Sequence, residues 1–337
     1  MTMRRFLYVF TLVLLGSAWL PLASAQATTS GGTSTPPLIA IGNGGEIAAK
    51  VGSLTAQWVD PVYGTNEFGA VASDPTNGPL IAVNDGSGNV WAKEGSLTAG
   101  WVEEFAGAPP DTWAEAVASD PTNGPLIAVI DTHGNVWVKE GSLTAPWVEE
   151  FTGVDQVAVA SDPTNGPLIA VVTTGGVVYA KEGSLSAPWY DEYNGATQVA
   201  VASDPTNGAL IAVVDSTHGY VYAKEGLLAP TWYDEYNAAT EEVAVASDAT
   251  NGPLIAVLTT GGVLYAKEGL LAPTWYDEYN GTAVETYVLA VASDPTNGPL
   301  IAVVDGSSTA WAKEGSLTAP WVEEYDGGSV WGVLVAG

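Results

Sequence analysis

The sequence predicts an all-β fold: a seven-bladed β-propeller with four-stranded blades, closed into a ring when the C-terminal strand pairs into the first blade. Three observations support this prediction. One motif recurs at intervals of 42 to 46 residues, each repeat contains four strand-like segments, and the first repeat is divided between the two ends of the chain. Four strands per unit, at a period in the low forties, is typical of propeller blades.

The repeated motif is Val-Ala-Ser-Asp-Pro-Thr-Asn-Gly-Pro-Leu-Ile-Ala-Val, with small variations. It begins at Val71, Val117, Val159, Val201, Val245 and Val291. Its Asp-Pro-Thr-Asn-Gly centre predicts a tight turn, because Pro presets φ, Asp and Asn bond the backbone locally, and Gly accepts positive φ.

Each repeat contains four segments, named A to D here in chain order. Segments A and B, such as Val157–Ala160 and Leu168–Val172, are apolar throughout, as is typical of strands covered on both faces. Segment C carries an aromatic residue and a Lys-Glu-Gly sequence. Segment D follows a Trp and mixes acids with aromatics, which is typical of a half-exposed strand. The order of polarity predicts that A is innermost and D outermost in each blade.

The two ends of the chain favour a ring over an open stack. The first repeat begins at segment B, Pro37–Ile41, with no A segment before it. The last segment D, Trp321–Tyr325, is followed by an additional apolar segment, Ser329–Val335, which resembles A. The C-terminus is therefore predicted to supply the missing strand of blade 1. A solenoid would instead need polar capping repeats at both ends.

The N-terminus predicts an exported protein. Arg4 and Arg5 precede an apolar run and an Ala23-Ser24-Ala25 sequence, which is typical of a signal peptide cleaved after Ala25. The predicted organisation is a signal peptide over 1–25, a short polar linker over 26–36 and the propeller over 37–337. The expected location is extracellular or in the cell envelope, without membrane insertion, because the apolar run is too short for a confident membrane span.

The charge of the chain is strongly negative, at −29, and its only two arginines lie in the predicted signal peptide. Loss of that peptide would leave a mature chain of −31. Such a surface repels nucleic acid and anionic membranes, which disfavours a role in reading phosphates. The acidity indicates solubility or, alternatively, attraction of cations and basic partners. The sequence predicts no particular oligomeric state.

The blade pattern resembles that of tectonin and tachylectin-type propellers, which are lectin-like proteins. The resemblance rests on a lone inner strand, a Val-x-Val-x-like second strand, an aromatic third strand and a Trp that opens the fourth. The second strand departs from the tectonin pattern, because Leu-Ile-Ala-Val stands where tectonins have a Trp-Gly-Val-type sequence. The Lys-Glu-Gly-Ser-Leu-x-Ala-x-Trp sequence also resembles repeats of exported bacterial propellers. The resemblance implies multivalent carbohydrate binding, with a glycan or polysaccharide as partner. It identifies no individual ligand-binding residue, because the residues of the repeated motif differ from those of the family.

The candidate ligand residues are the C-segment aromatics and the acids of the B–C turns. Aromatic rings stack on the apolar faces of sugars, and carboxylates accept hydrogen bonds from sugar hydroxyls. The candidates are Trp91, Trp137, Tyr179, Tyr222, Tyr265, Trp311, Asp85, Asp131, Asp215 and Asp305. Core packing is the alternative for the aromatic residues. The Asp-Gly-Ser-Gly-Asn-type turns also resemble the structural Asp-box hairpins of other propellers.

One Lys occurs in each repeat, and one Trp opens each segment D. The lysines predict a repeated ion pair, with the D strand of a neighbouring blade as a possible partner and a bond to a sugar hydroxyl as the alternative. Strict repetition of the Trp favours blade packing. The lysines are Lys50, Lys93, Lys139, Lys181, Lys224, Lys267 and Lys313.

No catalytic, metal or cofactor site is predicted. The chain has no Cys, and its two histidines, His133 and His218, are interpreted as exposed turn residues. Six D segments carry adjacent acids, such as Glu103-Glu104, which are interpreted as a solvated face because a catalytic pair needs two different environments. The alternatives to a lectin are an exported interaction scaffold and, less favoured, a glycan-acting hydrolase.

Overall fold

A computed structural model describes residues 36–43, 45–64, 69–107, 115–226, 231–269, 274–280, 288–326 and 330–337. The predicted signal peptide, residues 26–35 of the predicted linker, and Ser329 lie outside these ranges. Every regular element in the described residues is a β-strand. This part of the chain contains no helix with the length and apolar character needed to cross a membrane.

Within the described ranges, twenty-eight strands form seven separate four-stranded antiparallel sheets, which confirms the predicted propeller. Blade 1 contains β1 (Leu38–Asn43), β2 (Glu46–Val51) and β3 (Val59–Gly64). Blade 2 contains β4 (Gly69–Asp74), β5 (Gly78–Asn84), β6 (Asn89–Glu94) and β7 (Val102–Ala106). Blade 3 contains β8 (Glu115–Asp120), β9 (Gly124–Ile130), β10 (Asn135–Glu140) and β11 (Val148–Thr152). Blade 4 contains β12 (Val154–Asp162), β13 (Gly166–Thr173), β14 (Val177–Glu182) and β15 (Tyr190–Asn194).

The remaining blades follow the same order. Blade 5 contains β16 (Ala196–Asp204), β17 (Gly208–Asp215), β18 (Val221–Glu225) and β19 (Tyr233–Tyr236). Blade 6 contains β20 (Thr240–Asp248), β21 (Gly252–Thr259), β22 (Val263–Glu268) and β23 (Tyr276–Asn280). Blade 7 contains β24 (Val288–Asp294), β25 (Gly298–Val304), β26 (Thr309–Glu314) and β27 (Val322–Asp326), and β28 (Val330–Ala336) follows it.

Ring closure occurs as the sequence predicts. Strand β28 pairs antiparallel with β1, with Leu38 opposite Ala336 and Ile41 opposite Val333. Blade 1 therefore takes its innermost strand from the C-terminus. Because this strand completes the sheet of the first blade, the two ends of the propeller are hydrogen-bonded to each other.

The hydrophobic core lies between the blades. Each A strand contacts the A strands of its two neighbours, so these strands surround the central axis. One core cluster joins Ala82 and Val90 of blade 2 to Val117 and Ile127 of blade 3, all of them fully buried. Strands A and B are mostly buried, whereas the D strands of blades 2 to 6 expose their first two residues to solvent. The blade order A to D thus runs from the centre to the perimeter, as predicted.

The turns between strands A and B link neighbouring blades. The carboxylate of Asp120 accepts the backbone N–H groups of Thr122 and Asn123, both at 2.8 Å, and it also accepts the hydroxyl of Ser161 from blade 4. In return, Asn123 donates to the carbonyl of Asp162. Equivalent Ser–Asp bonds join blades 2 to 7 in succession. The repeated Asp is therefore a structural residue that is nearly inaccessible to solvent.

Blade 1 interrupts this ring of turns, because its A and B strands come from opposite ends of the chain. A groove of about 520 Å³ lies at this interruption, between blades 7 and 1. Its lining residues are Pro36, Pro37, Gly52, Ser53, Thr296, Asn297, Glu314 and Gly315. The groove lies where strands β28 and β1 of blade 1 pair without being joined by an A–B turn.

The B–C turn of blade 7 contains a residue in an unfavourable backbone conformation. Ser308 has a φ of 61°, and the equivalent turns of blades 2 and 3 have Gly88 and Gly134 at φ of 87° and 76°. A left-handed conformation costs a residue with a Cβ roughly 1 kcal/mol. We therefore expect Ser308→Gly to raise the free energy of unfolding by up to about 1 kcal/mol in denaturant titrations. Ser307→Gly is the control: it should destabilise, since Ser307 donates its hydroxyl to Asp305.

Candidate functional site

The candidate aromatic residues lie in the outer clefts between adjacent blades. In the cleft between blades 3 and 4, the ring of Phe151 from strand D of blade 3 contacts Tyr179 at 5.1 Å and Trp189 at 5.0 Å between centroids. The next two clefts repeat the contact with Tyr193 against Tyr222, and Tyr236 against Tyr265. Each C-strand aromatic is half-buried, so it contributes to blade packing and also keeps part of its surface open to solvent.

The candidate acids hold the B–C turns together. Asp131 accepts the backbone N–H groups of His133 and Asn135 on one oxygen, and the side chains of Asn135 and Trp137 on the other. Burial alone would raise the pKa of this carboxyl, but the hydrogen bonds from Asn135, Trp137 and His133 lower it below the ordinary value. Asp85 with Trp91, and Asp305 with Trp311, repeat the arrangement at 3.1 and 2.9 Å.

Two of the predicted site residues differ from this pattern. Asp215 accepts the backbone N–H groups of Thr217 and His218 and lies in the turn that precedes Tyr222. Asp305 also accepts the hydroxyl of Tyr279 from the preceding blade, at 3.2 Å. Three Asp–Trp pairs are therefore brought together within single turns. Their carboxylate oxygens already accept hydrogen bonds from local donors, so the faces of the aromatic rings are more available to a ligand than the carboxylates.

The lysines form buried ion pairs between blades. Lys139 contacts the carboxylate of Glu104 from blade 2, the carbonyl of Leu143, and the ring of Trp147 at 5.1 Å. Trp147 donates its indole N–H to the backbone carbonyl of Glu104 at 2.8 Å. The same Lys–Glu contact recurs at Lys50–Glu324, Lys181–Glu150, Lys224–Glu192, Lys267–Glu235 and Lys313–Glu278. The lysines and the D-segment tryptophans are therefore structural.

The adjacent acids of strand D were predicted to form a solvated face, and that interpretation is wrong for one acid of each pair. Glu103 is exposed, but the side chain of Glu104 is almost fully buried against Lys139. The cause is a bulge in the pairing of strands C and D, which turns the second acid towards the next blade. A Glu-Glu sequence does not by itself show which of its members faces inward.

Lys93 is the exception among the seven lysines. It donates to the carbonyl of Leu97 and lies 4.7 Å from the ring centre of Trp101, but no carboxylate pairs with it among the side chains described. In blade 1 the residue before the D-strand aromatic is Val62, where the other six blades have Glu. Burial lowers the pKa of Lys93 to about 8.

A second set of acids lies near the A–B turns. Glu182 of the Lys-Glu-Gly sequence has both carboxylate oxygens buried without a hydrogen-bond partner. Burial, with a smaller contribution from the charge of Asp162, raises the pKa of Glu182 to about 7. The same causes raise the pKa of the equivalent Glu94, Glu140, Glu225, Glu268 and Glu314. Because the oxygens of Glu182 are inaccessible, this carboxyl cannot reach a bound substrate.

Both histidines lie in exposed B–C turns, each near the Asp that begins its turn. The side chains of His133 and His218 are 81% and 59% exposed, as expected of turn residues. Among the described residues, no group of three or more His, Cys, Asp or Glu side chains is arranged to hold a metal ion.

Three exposed tyrosines were missed as candidates. Tyr190, Tyr233 and Tyr276 begin the D strands of blades 4, 5 and 6 and are 50%, 51% and 46% exposed. Blades 2 and 3 have Val102 and Val148 at this position. The sequence distinguishes these tyrosines only by a difference between repeats, because Tyr replaces Val at this position in three blades.

Comparison with known proteins finds similarity in structure only. No protein-family model and no curated protein matches the sequence. The BP39L lectin from Burkholderia pseudomallei aligns with a TM-score of 0.61 at 14% identity, over 88% of this chain and 97% of the lectin. The two chains share the β-propeller fold. The predicted resemblance to lectin propellers is thereby confirmed at the level of fold.

Two further solved structures show that the fold serves more than one activity. The SapL1 lectin, solved with alpha methyl fucoside, aligns with a TM-score of 0.52 at 10% identity, over 75% of this chain and 94% of the lectin. The GH74 xyloglucanase from Xanthomonas campestris aligns with a TM-score of 0.58 at 15% identity, over 87% of this chain and 53% of the enzyme. The chain thus spans about half the length of that hydrolase.

Proposed function

We propose that this chain is an exported, multivalent carbohydrate-binding propeller without catalytic activity. The observation that carries the proposal is the repetition of half-buried, partly solvent-exposed aromatic rings in successive outer clefts. Pyranose rings present apolar C–H faces that stack on such surfaces. Several weak, similar sites gain avidity on a glycan that itself repeats.

The lectin neighbours support this proposal through the fold, and the buried ion pairs support it through the chemistry. The six Lys–Glu pairs are committed to blade packing, which leaves aromatic faces and neutral or acidic groups for a ligand. The predicted Trp and Tyr residues remain the candidates for stacking, and the turn acids are better regarded as supports for the Trp rings.

A glycan screen with the mature chain tests the proposal. We expect binding that is strong on densely coated glycan surfaces and weak for the same sugar in monovalent form. Tyr179→Leu and Tyr222→Leu should each reduce the avidity while the melting temperature stays within a few degrees, because leucine keeps most of the packing volume. Absence of binding to every glycan and polysaccharide in the screen would refute the proposal.

A glycan-acting hydrolase is the second candidate, because a GH74 enzyme shares the fold. Glycoside hydrolysis uses two carboxyl groups about 5–10 Å apart on either side of a bound sugar. In the groove between blades 7 and 1, Glu314 is the one carboxyl among the lining residues. Release of reducing sugar from a bound polysaccharide, abolished by Glu314→Gln, would favour the hydrolase. An exported protein-interaction scaffold would instead show a protein partner and no glycan.

A further inference from the structure

The described surface carries no exposed cationic side chain. All seven lysines are at most 4% exposed, and the described residues contain no arginine. Exposed acids, by contrast, occur on every D strand from blade 2 to blade 7, excepting the Glu residues that pair with Lys. A surface of one sign repels anionic ligands and attracts cationic ones over about a Debye length. The ligand must therefore be neutral or positively charged.

Exposed tyrosines and exposed acids lie on opposite walls of the clefts between blades 4 and 5 and between blades 5 and 6. Tyr190 pairs with Ala180, whose side chain packs towards blade 5, so Tyr190 lies on the blade 4 wall of that cleft. Asp234 pairs with Tyr222, which contacts Tyr193 of blade 4, so Asp234 lies on the opposite wall. Residues paired across strands share a face of the sheet.

The next cleft repeats this arrangement. Tyr233 pairs with Ala223 on the blade 5 wall, and Asp277 pairs with Tyr265 on the blade 6 wall. Tyr265 contacts Tyr236 at 5.5 Å. Each of these two clefts therefore has an exposed Tyr and a half-buried Tyr pair beside one exposed carboxylate. The cleft between blades 2 and 3 has Val102 and Glu149 at the corresponding positions.

We infer that the clefts between blades 4 and 5 and between blades 5 and 6 bind a polymer of amino sugars that carries free, protonated amines. This inference rests on the proposed carbohydrate-binding function and names its ligand class. The Tyr ring supplies the face on which a pyranose stacks, and the Asp across the cleft supplies the partner for the ammonium group. A basic peptide shares the charge but has no pyranose face, so the exposed tyrosines favour the sugar.

The test compares three probes by titration calorimetry: a de-N-acetylated glucosamine oligosaccharide, the same oligosaccharide fully N-acetylated, and oligolysine of equal charge. The wild-type chain should bind the amine-bearing sugar at least about tenfold more tightly than the acetylated one, and this preference should fall as salt rises. Asp234→Asn with Asp277→Asn should reduce the preference, and Tyr190→Val with Tyr233→Val should weaken binding about tenfold or more.

The repeats provide matched controls. Valine already occupies the position of Tyr190 in blades 2 and 3, so the Tyr→Val variants are compatible with the fold. Glu103→Gln with Glu149→Gln removes the same charge from clefts without an exposed Tyr and should leave binding within about twofold. An equal loss of affinity in the Asp234/Asp277 and the Glu103/Glu149 double variants would mean nonspecific charge attraction and would overturn the inference. Oligolysine that binds as tightly as the amino sugar would have the same meaning.

The outcomes also separate this inference from the proposed function. If the chain binds neutral glycans and not the amine-bearing sugar, the ligand class is wrong and the lectin proposal stands. If the chain binds no glycan of any kind, both are wrong.

Discussion

Lys139→Met is expected to lower the free energy of unfolding by about 3–5 kcal/mol at neutral pH. The substitution removes the only cation that contacts Glu104 among the described residues, and the side chain of Glu104 is 1% exposed. An uncompensated charge in such a place is costly, because it has lost its hydration without gaining a partner. Urea unfolding followed by tryptophan fluorescence measures the change.

Lys93→Met is the matched control for this substitution. Lys93 has the same position in its blade and the same contact with a Trp ring, but no described carboxylate pairs with it. The variant loses one hydrogen bond and the ring contact, but it also removes a buried charge. We therefore expect the free energy of unfolding to change by no more than about 1 kcal/mol. Similar losses for the two variants would show that the Lys–Glu pairs contribute little beyond packing.

Glu242→Gln is expected to stabilise the protein at neutral and alkaline pH. In blade 4, the amide of Gln156 accepts the N–H of Val199 and donates to its carbonyl, which links two adjacent A strands. Gln198 makes the same pair of bonds to Val243. Glu242 occupies the equivalent position in blade 6 and accepts the N–H of Leu289 at 3.1 Å. A carboxyl group can imitate the second bond only when it is protonated.

The pH dependence of this contact follows from the pKa of Glu242. Burial raises that pKa to about 8, against the hydrogen bond from Leu289, and the charge of neighbouring Glu241 adds to the increase. Because the folded-state pKa lies above the unfolded value, the contribution of Glu242 is fully present below about pH 4.5 and is lost as the pH rises towards 8. At pH 7 the loss is on the order of 3 kcal/mol.

The measurement is the difference in unfolding free energy between Glu242→Gln and wild type from pH 4.5 to 8. The difference should be near zero at the acidic end and grow in favour of the variant as the pH rises. Gln198→Glu should introduce a second buried carboxyl group, so the unfolding free energy of this variant should fall more steeply with pH than that of wild type. A difference that stays constant with pH would show that Glu242 is charged in the folded state.

The fold was predictable because its cause is repeated in the sequence. The apolar segments at Leu168–Val172 and equivalents, the Asp-Pro-Thr-Asn-Gly turns, and the apolar Val330–Val335 at the end of a divided repeat together specify a closed ring. Propeller strands are defined by local patterns and short connections, so the period carries most of the topology. The lone Lys of each repeat also indicated its partner, since it is the scarce charge among many acids.

The site was harder to predict because its features lie in the departures from the repeat. Val62 stands in place of Glu, Tyr190 in place of Val, and Glu242 in place of Gln, and each is a change at one position of one or a few repeats. The direction in which Glu104 points depends on a bulge that the sequence of strand D does not reveal. A half-buried ring such as Tyr179 suits both packing and stacking, so residue type alone left both interpretations open.

Burial of every described lysine has a practical consequence for proteolysis. Trypsin cleaves after Lys or Arg, and the two arginines lie at positions 4 and 5, outside the described residues. A folded ring therefore shields all seven lysyl bonds, and digestion by trypsin should proceed only through opened molecules. Chymotrypsin, which cleaves after aromatic residues, meets exposed tyrosines on the perimeter. The ratio of the two digestion rates would report how often the ring opens.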